Sequence, residues 1–134
     1  MATTEGSGPD KAEVYAFIFE KIDSVPHLEA LLLLWETRPK QWTPGELAAR
    51  LYVKEDAARR LLQELHRESL IAVVPGETER YLCESPSPER NALIGAVADT
   101  YRREVIGVST LIHSKGSASV RDFARAFRFK KEST

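Results

Sequence analysis

The strongest local signal in the chain is Thr43-Pro44-Gly45-Glu46. A threonine before a helix can accept a hydrogen bond from the N–H three residues on, and a glutamate at that position can reach back to the threonine's own N–H. Proline suits the first helical position, where its missing N–H has no partner to lose. A helix is therefore predicted over residues 44–52, with Leu47, Ala48 and Leu51 turned inward. A short break at Val53-Lys54 follows, and then a second helix over 55–69, whose Ala58, Leu61, Leu62 and Leu65 share one side. Residues 70–74 form a β-rich run, 75–79 supply turn residues including Pro75-Gly76, and 80–83 read again as strand. Two short strands about a glycine-containing turn make a hairpin.

Helices flank this block on both sides. Residues 10–22 carry Val14, Phe17 and Ile18 on one stripe, and Ser24 can cap a helix over 25–37 with Pro26 in its first turn. That helix stops at Arg38-Pro39, because a residue before proline disfavours the helical region. After the Ser/Pro hinge at 85–88 comes the longest predicted helix, over 88–113. Its Ile94, Ala98, Tyr101, Val105, Val108 and Ile112 recur at spacings of 4, 3, 4, 3 and 4, a heptad-like seam suited to a partner helix. Gly95 and Gly107 interrupt it, each at up to roughly 1 kcal/mol relative to alanine unless close packing uses them. Ser119 caps a last short helix with Val120, Phe123 and Phe127 on one side and Arg121, Arg125 and Arg128 on the other. The expected organisation is a disordered leader (1–9), an N-terminal helix (10–24), a central block (25–84), and a long helix with a short basic one (85–134).

Composition narrows the function classes. With 43% hydrophobic and 29% charged residues, the 134-residue chain can bury one core. The longest apolar run, Ala30 to Trp35, is far too short to cross a bilayer. A single cysteine, Cys83, excludes an internal disulfide and is expected to act as a small buried apolar group. His27, His66 and His113 stand apart with no acid or cysteine at ligand spacing, so no metal or other cofactor is expected. No phosphate loop, paired carboxylates or Ser/His/Asp grouping argues for an enzyme. The formal net charge of −1 hides a gradient: residues 1–37 hold seven acids against two lysines, and 115–134 hold six bases against two acids. Near-neutral charge argues against non-specific coating of nucleic acid, while the basic end leaves room for a local anionic partner.

The order helix, capped helix, tight turn, longer helix, hairpin is that of a winged helix-turn-helix. The fold class expected is mainly α with a small β-hairpin, the winged helix-turn-helix being flanked by N- and C-terminal helices. The wording agrees as well. Val53-Lys54-Glu55-Asp56-Ala57-Ala58-Arg59-Arg60-Leu61-Leu62-Gln63-Glu64-Leu65, followed by Ser69-Leu70-Ile71, resembles the recognition-helix segment of many bacterial winged-helix regulators. Glu46-Leu47-Ala48-Ala49-Arg50-Leu51 looks like their preceding helix, and the flanking helices make the layout most similar to the MarR family.

The resemblance implies double-stranded DNA as partner, with the 55–69 helix in the major groove. Arg59, Arg60 and Gln63 then become candidates for base or phosphate contact, Arg50 and Lys54 for the backbone, and Arg80 for a phosphate or the minor groove at the wing. Arginine fits because its planar fork matches guanine's major-groove edge and phosphate oxygens alike. It further implies a cytoplasmic bacterial homodimer held by the outer helices, with the heptad-like seam as the dimerisation surface. Four acids stand on the would-be DNA face: Glu55, Asp56, Glu77 and Glu79. A duplex repels them unless they read cytosine amino groups or pair with Arg59 and Arg60. They motivate the alternative of a winged-helix module that binds a protein partner and not DNA.

Overall fold

The structure, a computed structural model, describes residues 9–84 and 87–115. The chain is mainly α-helical, with a winged helix-turn-helix set between N- and C-terminal helices. Most of the leader (1–9), part of the 85–88 hinge and the short basic helix expected after Ser119 lie outside the described residues.

Helix α1 (Lys11–Lys21) begins with a capping box that the apolar pattern alone did not flag. The Asp10 side chain accepts from the Glu13 N–H at 2.8 Å, and the Glu13 carboxylate accepts from the Asp10 N–H at 3.1 Å. Helix α2 (Val25–Glu36) is capped by Ser24, with Pro26 in its first turn. Its Leu28, Leu31 and Leu34 are fully buried, each contributing roughly 1.5–3 kcal/mol relative to exposure, so α2 is the central pillar of the core.

Helices α3 (Pro44–Leu51) and α4 (Glu55–Arg67) form the helix-turn-helix. Both bonds of the capping box are made: Glu46 N–H to Thr43 Oγ1 at 3.1 Å, and Thr43 N–H to Glu46 Oε1 at 3.0 Å. The α4 helix ends two residues earlier than the apolar pattern suggests, because Ser69 takes the left-handed conformation (φ 63°) and turns the chain into the hairpin. Strands β1 (Ala72–Val74) and β2 (Arg80–Leu82) pair antiparallel, with Val73 opposite Tyr81. A third segment joins them: Trp42 and Tyr81 exchange two backbone hydrogen bonds at 2.7 and 2.8 Å, which ties the approach to α3 onto the wing.

One expectation is corrected at the C-terminal side. The single helix over 88–113 is two helices, α5 (Pro88–Arg103) and α6 (Val105–Ser114), broken at Glu104 (φ −131°, ψ 50°). The sequence just after the break, Val105-Ile106-Gly107, is made of weak helix formers. Across the break, α1 holds the glutamate: Tyr15 Oη donates to Glu104 Oε1 at 2.5 Å, and Lys11 Nζ lies 3.1 Å from Glu104 Oε2. The bend lets α6 pack on α1 and α2 as well as α5. It also dismantles the seam. Ile94, Ala98, Val108 and Ile112 are buried in the chain's own core, Tyr101 is half-buried, and Val105 is exposed. Those six residues therefore do not present one continuous surface to a partner, because α1 and α2 of the same chain already cover most of it. Among the described residues, no helix is long and apolar enough to cross a membrane.

Candidate nucleic-acid interface

The turn between α3 and α4 sets how the second helix projects. Tyr52 closes α3 in the left-handed conformation (φ 60°, ψ 45°), and the Val53 N–H returns to the Ala48 carbonyl at 3.0 Å. Ala58, Leu61, Leu62 and Leu65 are buried beneath α4, leaving Asp56, Arg60, Gln63 and Arg67 exposed along its outer side. That spacing of 4, 3 and 4 residues puts two arginines and a glutamine on one helical stripe. Arg67 belongs to this stripe, although the resemblance did not point to it. The far side of α4 is fastened to α2: Ser24 Oγ lies 2.6 Å from His27 Nδ1, and His27 Nε2 lies 2.6 Å from Glu64 Oε1. His27 thus serves as a bridge between helices, a role its isolated place in the sequence gives no hint of.

The candidate side chains divide into groups. Arg60 and Gln63 lie exposed on the α4 stripe, Lys54 is exposed at the N-cap of that helix, and Arg80 is exposed on β2. Arg50 is exposed on α3, where it lines a cavity of about 260 Å³ between α2, α3 and α5 together with Glu29, Glu36, Tyr101 and Arg102. Its position at that cavity separates it from the α4 stripe.

Arg59 differs from all of these. Its Nε donates to Glu79 Oε1 at 2.9 Å, its Nη2 to Glu55 Oε2 at 3.1 Å, and its Nη1 lies 3.6 Å from Asp56 Oδ1. Glu79 also accepts from Tyr81 Oη at 2.8 Å. The Arg59 guanidinium, and then the Tyr81 hydroxyl, hold the Glu79 carboxyl below its usual range. Burial, aided by Glu79, pushes the Tyr81 phenol up to about 12. Three of the four acids on this face are therefore engaged by one arginine, not shared between Arg59 and Arg60. On the wing's far edge Cys83 is buried, and that burial raises its thiol.

The chain matches no family model and no curated protein. It does align with solved structures over most of its length. One is a MarR family protein from Bacillus stearothermophilus (20% identity, 92% of this chain, 83% of that chain, TM-score 0.51). Another is a MarR family transcription regulator (23% identity, 91% and 77%, TM-score 0.52). A third is MepR, a transcription regulator of the Staphylococcus aureus multidrug efflux pump MepA (15% identity, 92% and 87%, TM-score 0.53). With a capped α3, turn, α4 and wing between flanking helices, and with this likeness over about nine tenths of its length, the chain has the MarR-like winged-helix fold.

Proposed function

We propose that this chain is a DNA-binding transcriptional regulator that works as a homodimer, α4 of each subunit entering a major groove. The observation that carries the reading is the exposed Arg60–Gln63–Arg67 stripe on the second helix of a helix-turn-helix. Arg60 and Gln63 have the donors to read guanine and adenine edges, while Lys54 and Arg80 stand where a phosphate backbone would pass. The transcription regulators that share the fold support the same reading. For the dimer, the exposed apolar pair Val105 and Ile106 on α6, the latter 82% exposed, is a better surface than the buried seam residues Ile94, Ala98, Val108 and Ile112.

Selection of bound duplexes from random and genomic DNA, with the solution mass recorded alongside, tests this. Enrichment of a two-fold symmetric site by a dimer supports the reading. A monomer that enriches nothing, even at low salt, contradicts it.

One observation favours a second reading. Arg59 and its three carboxylates make a cluster of net charge −2 beside the stripe, which suits a basic protein partner better than a phosphate chain. A co-purifying protein partner that is lost in E55S/D56S, on a chain that binds no DNA, would favour this version.

A further inference from the structure

We infer that Arg59 is a positioning residue that staples the wing to the recognition helix, leaving Arg60 and Arg67 as the cations α4 offers to a ligand. The inference deepens the DNA-binding reading and rests on it only for the ligand. The geometry of the staple stands independently.

All three guanidinium nitrogens of Arg59 face carboxylates. Its Nε is directed at Glu79, just before the wing's second strand, and Nη2 at Glu55 on its own helix. A phosphate approaching Arg59 would meet three carboxylates around one cation, a local charge of the wrong sign. The same contacts suit a fastener. From Arg59 the connections run through Glu79 to the Tyr81 hydroxyl, and from the Tyr81 backbone to Trp42 just before α3. The helix-turn-helix and the wing are thereby closed into a ring of bonds. The two strands have three residues each, and a hairpin of that size has little stability of its own, so the wing depends on what it is fastened to: the Trp42 backbone, the core beneath Tyr81 and Cys83, and the Arg59–Glu79 contact. Glu79 then has a purpose on a face where a free carboxylate would hinder DNA: it sets the height of Arg80, its neighbour on β2, relative to α4.

The test pairs amide hydrogen exchange with DNA titration in a salt series, on the full chain and its R59A, R59K, E79A, R59A/E79A and R60A variants. For a half-exposed ion pair, exchange at the Tyr81 amide should quicken about two- to fivefold in R59A and in E79A, and no further in the double variant. R59K, which keeps the charge but loses the fork and is the safer variant for folding, should quicken it as well. DNA affinity should fall by a similar factor in R59A and E79A with the parent's salt slope. R60A, by contrast, should lose more affinity on the selected duplex than on random DNA. Unchanged exchange in R59A and E79A overturns the staple, as does an R59A salt slope reduced by about one. If the parent binds no DNA, the regulator reading falls and the exchange data alone decide the staple.

Discussion

Replacing Tyr52 with glycine should stabilise the chain. Tyr52 sits at φ 60° and ψ 45° at the end of α3, where the Cβ of an L-residue crowds the following carbonyl at about 1–2 kcal/mol. The residue is 94% exposed, so removing its ring forfeits almost no buried surface. Glycine adopts this conformation without the clash but loses about 0.5–1 kcal/mol more chain entropy on folding. At mid-range the difference leaves a net gain of roughly 0.75 kcal/mol. Ser69, at φ 63° beyond the other end of α4, presents the same case. The two sites are separated by the full length of that 13-residue helix, roughly 20 Å, so Y52G/S69G should gain about 1–2 kcal/mol together. Urea unfolding at fixed protein concentration reads this as a higher midpoint at an unchanged slope. Y52A, which retains the Cβ, is the control and should gain nothing. A Y52G midpoint at or below the parent's would refute the strain argument, and equal gains in Y52A and Y52G would assign the effect to loss of the ring.

Three further outcomes follow from the same contacts. The Arg59 guanidinium holds the Glu79 carboxyl below its ordinary 4.5, and the Tyr15 hydroxyl, with Lys11, does the same for Glu104. Each depressed carboxyl adds stability above about pH 4.5 that is lost as pH falls through its folded-state value. The urea midpoint of E79Q/E104Q should therefore decline less on acidification than the parent's, and parallel declines would contradict the assignment. T43A should lose about 0.5–2 kcal/mol with the cap of α3, measured by the same unfolding curve; no loss would show that the box adds nothing. At Gly107 an added Cβ meets nothing nearer than Tyr15 Oη at 3.9 Å, so G107A should gain about 0.5–1 kcal/mol of helix propensity. A loss there instead would put a tightly packed neighbour on that face of α6.

What could be read from the sequence was whatever adjacent residues decide. Thr43 and Glu46, or Ser24 and Pro26, specify helix starts within a single turn, and the Pro75-Gly76 turn lies between two short β runs. Apart from the Asp10–Glu13 capping box, which is local, the features that escaped depend on residues far apart. The break at Glu104 answers to Tyr15, 89 positions away, and the pairing of Trp42 with Tyr81 leaves no local pattern. The seam from Ile94 to Ile112 has the spacing of a partner-facing surface, yet its periodicity says only that one side is apolar. Here α1 and α2 supply the cover. The site shows the same division. Arg59 and Arg60 are neighbours of the same type, and only the fold shows that one is committed to Glu79 while the other faces outward.

The central claim is that the outward face of α4 binds duplex DNA through Arg60. The measurement is a titration of parent and R60A with the selected duplex and with random duplex, across a salt series. Tight parental binding that weakens steeply with salt is predicted, together with a loss in R60A of about 1–3 kcal/mol on the selected duplex and a much smaller loss on random DNA. Parent and R60A curves that coincide on both duplexes, or a parent that binds neither at low salt, would contradict it.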